Sequence, residues 1–384
     1  MSLLKTDLTL KDIEPRIKEL TSELFRQVPP GVGAKSLFNP TKQQFNEILQ
    51  VGAKWCIENG YGFKEDLGSI EDYGHLDFAD ISKVSEKAIS RGIKQIGTLG
   101  SGNHYLEVQI TYPENIIDKE LSKKLGITGE KQVMIMSHCG SRGFGHEVAT
   151  NYLRVFEDAM KKYKINVPDR ELACAPFRSK EGQDYYKAMA CAANYAYANR
   201  QMIRHHIRKA FNNIFKRDPE EMGMQTIYDN THNLARKHKI TIDGEKKEVL
   251  VHLKGATTSV GPEYERLTKK YKDIGSLIIL GGSMETGSYL LKGTKSAEEE
   301  TFGTTAHGSG RVMSRTQAKR MVRGDKLQKD MERRGIYVKA VSMSGLAEEA
   351  GMAYKEIDEV VNTLDKANIS KPLIKLKPRA NIKG

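Results

Sequence analysis

Five of the ten histidines stand in glycine-, serine- or asparagine-rich segments, and this placement limits the fold more than any other feature. They are His104 in GSGNH, His138 in SHCGSRG, His232 in DNTHN, His252 in VHLKGAT and His307 in AHGSGR. Strand-like runs adjoin them. QVMIMSH (132–138) reads as a short buried strand ending on His138, and IGTLGSGNHYLEVQI (96–110) as a glycine loop feeding a strand. EVLVHLKGATTSVGP and GSLIILGGSMETGSYLLKGT read as strands broken by glycine turns. Helical patterns fill the intervals: 9–27, with Ile13, Ile17, Leu20 and Leu24 on one face, then 41–59, 79–91, 184–216 and 346–366. A basic strand, IKLKPRANIKG, ends the chain. Helices and short strands mix throughout, without repeats or a low-complexity linker. The expected class is α/β (mixed α+β), with mixed sheets surrounded by helices in one unit over 1–384. In such folds ligands bind where strands end, which is where these histidines fall.

Composition narrows the function. Sixty-one Lys and Arg against forty-nine Asp and Glu give a net charge of +12, which suits RNA or DNA as partner, or simply a lysine-rich solvated surface. No apolar run is long enough to cross a bilayer. The first residues lack the apolar block of a signal peptide. Cysteines at 56, 139, 174 and 191 form no CxxC pair, so a reducing cytoplasm is the expected location.

Each loop histidine alone is more often a surface group than a ligand; five in one kind of context change that balance. They are far apart in sequence, so no local zinc signature exists. Neutral imidazoles would suit Mn²⁺, Zn²⁺, Fe²⁺ or Ni²⁺. Asn103-His104 and His232-Asn233 each pair an imidazole with an amide, whose bland reading is a loop held by hydrogen bonds. GTLGSG, GSRGFG, GGSMETG and HGSG offer bare backbone N–H groups for phosphate, although none is a Walker loop and glycine loops are usually turns. His205-His206 reads as a solvated or RNA-facing pair on a basic helix face, and Cys139 as a small buried residue. No G-x-S-x-G elbow is present.

Taken in order, GTLGSGNHYLEVQ, HCGSRGFGHEV, DNTHNLARKH, HLKGAT, GGSMETGSYLLKGT, TTAHGSGRVMSR and the terminal IKG resemble the RtcB family of RNA ligases, from about residue 5 to the end. The resemblance implies GTP-dependent joining of an RNA 2′,3′-cyclic phosphate or 3′-phosphate to a 5′-hydroxyl, as in tRNA splicing and RNA repair. It implies two Mn²⁺ ions and an archease-like activator as partner. His307 would be guanylylated. His104, His138 and His232 would hold manganese. Asn103, His232 and Asn233 would lie near the phosphates, Gly308, Ser309 and Gly310 along the nucleotide, and Gly281, Gly282, Ser283, Met284 and Ser288 around the guanine. Lys383 would contact the base, and Arg142 and Arg311 would hold RNA phosphates.

One departure stands out. The family's D-x-x-C metal-ligand motif does not occur here; Glu171-Leu-Ala-Cys174 is the nearest spelling, in another part of the chain. The resemblance therefore implies a chain that starts inside the catalytic domain and holds its metals weakly alone. Two alternatives keep the same residues: a catalytically silent RNA-binding relative, and a metal-dependent phosphoesterase of RNA ends.

Overall fold

The computed structural model describes residues 1–242 and 244–384. Its strands are β1 (Ser2–Thr9), β2 (Tyr105–Ile110), β3 (Gln132–His138), β4 (Gln225–Asp229), β5 (Asn233–Ile242), β6 (Glu245–Lys254), β7 (Ala256–Thr258), β8 (Leu277–Gly281), β9 (Ser288–Gly293), β10 (Thr304–Ala306), β11 (Tyr337–Ala340) and β12 (Ser370–Lys383). The main sheet runs β4-β1-β3-β2-β12-β9-β8, with β11 added beside β12; β7–β10 and β5–β6 are separate antiparallel pairs. Among the described strands only β11 joins its neighbour in parallel, so the sheet is mixed, as expected.

The period of two sorts side chains onto the two faces. Leu4, Leu106, Val108, Ile110, Val133 and Ile135 pack against Ile17, Leu20 and Leu24 of one helix and Ile203, Ile207 and Phe211 of another. Leu3, Tyr105, Met134 and Met136 face the opposite way, among Leu277, Ile279, Leu290, Ile374 and Leu376. Each such aliphatic side chain contributes roughly 1.5–3 kcal/mol when fully buried. β12 unites the halves. Its first part pairs with β9, its second with β2, and the register shifts between Pro378 and Ala380.

Several helices are shorter than the periodicity predicts. The 9–27 pattern divides into Leu10–Ile13 and Ile17–Gln27, because Glu14-Pro15-Arg16 tightens to a 3₁₀ turn at the proline. The 41–59 pattern divides into Lys42–Val51 and Ala53–Glu58 at Gly52, which has φ +60° and whose Cβ would lie 2.2 Å from the Gly74 carbonyl oxygen. Within 79–91 the α-helix begins only at Glu86, capped by Ser85, and the 346–366 pattern becomes Met343–Glu348 and Ile357–Lys366. The segment after His138 starts its helix directly at Arg142 and keeps Gly143 and Gly145 inside it. β1, whose residues carry no clean strand alternation, lies between β3 and β4.

The longest helix, Lys180–Phe215, is capped by Ser179 and largely buried. Arg200, Arg204 and Arg208 recur every four residues and therefore share one face. Arg200 and Arg204 both hold Asp229, while Arg208 holds Asp66 at 2.6 and 2.8 Å. His206 corrects the expectation of a solvated pair. It is buried, and neither ring nitrogen has a partner.

Candidate functional site

Strand pairing assembles the histidines. His138 ends β3 opposite Tyr105, the first residue of β2, so His104 arrives beside it. His232 occupies the turn between β4 and β5, and His307 follows β10. The loop carrying His307 is sewn to the end of β8: Gly281 N–H donates to the His307 carbonyl at 3.2 Å, and Ser309 N–H to the Gly281 carbonyl at 2.9 Å.

Nε2 of His138 and Nε2 of His232 are 3.1 Å apart. The His232 and His307 rings stack with centroids 4.4 Å apart and planes 17° apart. Ligand atoms of His138, His232 and His307 all fall within 4.8 Å of one another. This grouping differs from the expected triad, since His307 takes the place given to His104. His104 lies 5.6 Å from His138 between ring centroids, with Nδ1 4.0 Å from Cys139 Sγ.

Burial keeps these imidazoles neutral. It lowers His138 and His232 well below the usual range, His104 to about 3, and His307 in the same direction. His232 Nδ1 is buried without a partner. Neutral rings, two of them with Nε2 atoms 3.1 Å apart and one with an orphaned Nδ1, form a donor set suited to a borderline divalent cation. Cys139 is buried as expected, with its thiol directed at the Leu99 carbonyl 2.8 Å away and its pKa raised by burial. His307 differs from the other rings. Its Nδ1 is 2.7 Å from the Gly255 carbonyl, which can only accept, so Nδ1 carries the proton and Nε2 keeps a lone pair.

The histidines form a wall between two concavities. On one side is a cleft enclosing about 730 Å³ of space open to solvent. Asn103, His138, Gly281, Gly282, Ser283, Met284, His307, Gly308, Ser309, Gly310, Arg311 and Lys383 all line it. Ser309 Oγ is buried there without a partner. On the other side, His104, Arg142, His232, Asn233, His252 and Lys254 line a wider groove of about 2260 Å³.

Ser288 and Arg311 lie away from the places expected for them, and Arg142 lines the groove with its guanidinium bonded within the chain. Ser288 is buried in β9, where its hydroxyl bonds Gln109, and it does not line the cleft. Arg142 donates to Thr98 Oγ1 at 3.0 Å and to the Gly31 carbonyl at 2.9 Å. Arg311 is engaged by Met313, Glu349, Tyr354 and Glu348, and faces the cleft instead of the groove.

The cleft also contains Tyr105, Glu107 and Arg315, which lie within the quoted motifs without a role assigned to them, and Glu349 and Tyr354, which lie in none of those motifs. Glu107 left a trace in the sequence, as an acidic residue inside the otherwise mostly uncharged strand YLEVQI. Burial pushes its carboxyl up to about 7, against the pull of Gln109 and Lys383. Glu349 and Tyr354 left none.

A family profile described as "tRNA-splicing ligase RtcB" matches residues 1–384. Curated proteins named tRNA-splicing ligase RtcB are similar along the whole chain. The one from Pyrococcus abyssi is 48% identical over 382 residues, covering 100% of this chain and 41% of the relative. The Pyrococcus horikoshii protein is 47% identical over 383 residues, with 100% and 44% covered. The Archaeoglobus fulgidus protein is 47% identical over 382 residues, with 100% and 79% covered. The chain thus spans about two-fifths of the length of the Pyrococcus relatives. With the profile matched from end to end and nearly half of the positions identical, this chain belongs to the RtcB family.

Proposed function

We propose that residues 1–384 act as one catalytic unit of a GTP- and Mn²⁺-dependent RNA ligase. It joins RNA 2′,3′-cyclic phosphate or 3′-phosphate ends to 5′-hydroxyl ends, such as tRNA exon halves. The observation that carries this reading is His307. Its proton is fixed on Nδ1 by Gly255, leaving Nε2 free beside a glycine-lined cleft.

In this reading Nε2 attacks the α-phosphorus of GTP, a P–N bond forms, and pyrophosphate leaves. Water opens a 2′,3′-cyclic phosphate to the 3′-phosphate; the 3′-phosphate then takes the GMP from His307, and the 5′-hydroxyl displaces GMP as the phosphodiester closes. His138 and His232, with His104 beside them, would hold manganese, which when bound neutralises charge on the phosphates. Gly281, Gly282, Ser283, Gly308, Ser309 and Gly310 bring backbone close to the nucleotide. Asn103 reaches it from the cleft, and Asn233 serves the groove side. Glu107 and Lys383 offer an acceptor and a donor, the pair that matches the N–H edge and O6 of guanine. The groove with His252 and Lys254 takes the RNA, and an archease-like protein is the expected activator.

Incubating the chain with α-labelled GTP and Mn²⁺ should leave acid-labile label on the protein, and His307→Ala should remove it. Label that survives in His307→Ala would overturn the assignment. RNA binding without label in either protein would favour the silent RNA-binding relative. Phosphate release from RNA 3′ ends without joining would favour the phosphoesterase.

A further inference from the structure

The part of the cleft around Lys383 is organised by one carboxylate. Glu349 ends the helix Met343–Glu348 as its C-cap and is 3% exposed. Its Oε1 accepts from Arg311 at 3.3 Å and Arg315 at 3.5 Å. Its Oε2 accepts from Lys383 Nζ at 3.4 Å and from the Tyr354 hydroxyl. Three cations from two distant segments thus converge on one buried anion. Without it they would repel one another at short range in a poorly solvated site. Burial alone would raise the Glu349 carboxyl, but Lys383, Tyr354, Arg311 and Arg315 outweigh it and hold it below the usual range.

Lys383 has three N–H donors. One points to Glu349 and one to the Gly102 carbonyl at 3.2 Å, in the loop that carries Asn103 and His104. One donor remains for the cleft. A donor fixed there favours a base presenting an acceptor, as guanine does at O6. It disfavours adenine, which presents an amino group at that edge. Selectivity of this kind depends on the ammonium staying where it is, because a free lysine side chain adapts to either base.

We propose that Glu349 is a positioning residue that sets guanine-over-adenine selectivity by fixing the Lys383 ammonium; this rests on the nucleotide reading of the cleft given above. Glu349 does not touch the reacting atoms. It acts through Lys383, with Arg311 and Arg315 held by the same carboxylate.

The test titrates the full chain with GTP and with ATP, in Mn²⁺, by calorimetry. Glu349→Gln keeps the shape and removes the charge. Its GTP affinity should fall about tenfold, the scale of one charged hydrogen bond, while ATP affinity stays near wild type. Glu349→Asp keeps the charge and should recover part of the preference, and it serves as the test variant if Glu349→Gln does not fold. A merely structural role would weaken both nucleotides alike. An unchanged GTP-to-ATP ratio in a folded Glu349→Gln chain, or in Glu349→Asp where Glu349→Gln does not fold, overturns the proposal and leaves the nucleotide reading intact. Failure of the wild-type chain to bind GTP overturns the nucleotide reading, and this proposal with it.

Discussion

Two buried polar regions lie within one sheet edge of each other, and they are built on opposite plans. Beneath the long helix, Arg200 and Arg204 close on Asp229, and Arg208 closes on Asp66 and the Met224 carbonyl. Every charge there has an opposite charge. At the histidine wall, the rings face one another without a carboxylate among them, and His232 Nδ1 has no partner. The first region is satisfied by the chain itself. The second is left with capacity to spare, which is what a site awaiting a ligand requires. Missing partners are thus informative where several such groups cluster, as at this wall; His206, equally unpartnered, lies outside that cluster.

The sharpest way to break the contrast is His307→Ala. The residue is half-buried and should cost less than about 1 kcal/mol of stability, yet GTP-dependent labelling should vanish. A large fall in melting temperature would place His307 in the structural class instead. Asp229→Ala should do the reverse. It leaves two buried guanidinium groups unpaired, and denaturant titration should show a loss of about 3–5 kcal/mol. His232→Ala should weaken Mn²⁺ binding by about a hundredfold, read from the spectroscopic signal of free Mn²⁺. Unchanged binding would move the metal away from this wall.

The smallest effect is a pH dependence in two limbs. Burial pushes His104 down to about 3, His206 and His238 to about 4, and His138 and His232 well below the usual value. Unfolded imidazoles take up protons below about 6.5. The folded chain cannot match this, so stability is full above that pH and falls as pH drops from about 6.5 towards 4 and 3. The second limb starts lower. Burial opposes ionisation of Asp66 and Asp229, but their arginines prevail and hold both below the usual 3.8. Their contribution is complete above 3.8 and lost as pH falls further. Urea midpoints should show both limbs, and the double change His138→Gln with His232→Gln should flatten the upper one alone.

Much of this was legible in the sequence because it is local. β3 was readable from QVMIMSH, the β8–β9 hairpin from GSLIILGGSMETGSYLL, and the loop histidines from their glycines. β1 was not, since SLLKTDLT carries no clean alternation and is a strand only because β3 and β4 flank it. Helix lengths failed at Pro15 and Gly52, where local geometry overrides periodicity. Glu349 and Tyr354 were invisible for a different reason. They sit in helical and turn segments of ordinary composition, and only the fold brings them to Lys383. Ser288 erred the other way, since its motif placed it near the cleft while the strand turned its hydroxyl to Gln109.

β12 carries a consequence for biosynthesis. Lys383 pairs with Tyr105, and Ser370 with Gly293, so this strand is the plank between β2 and β9. A ribosome delivers every loop histidine before residue 370 has been made. Until then β2 and β9 lack the strand that joins them, and Lys383 is missing from the cleft.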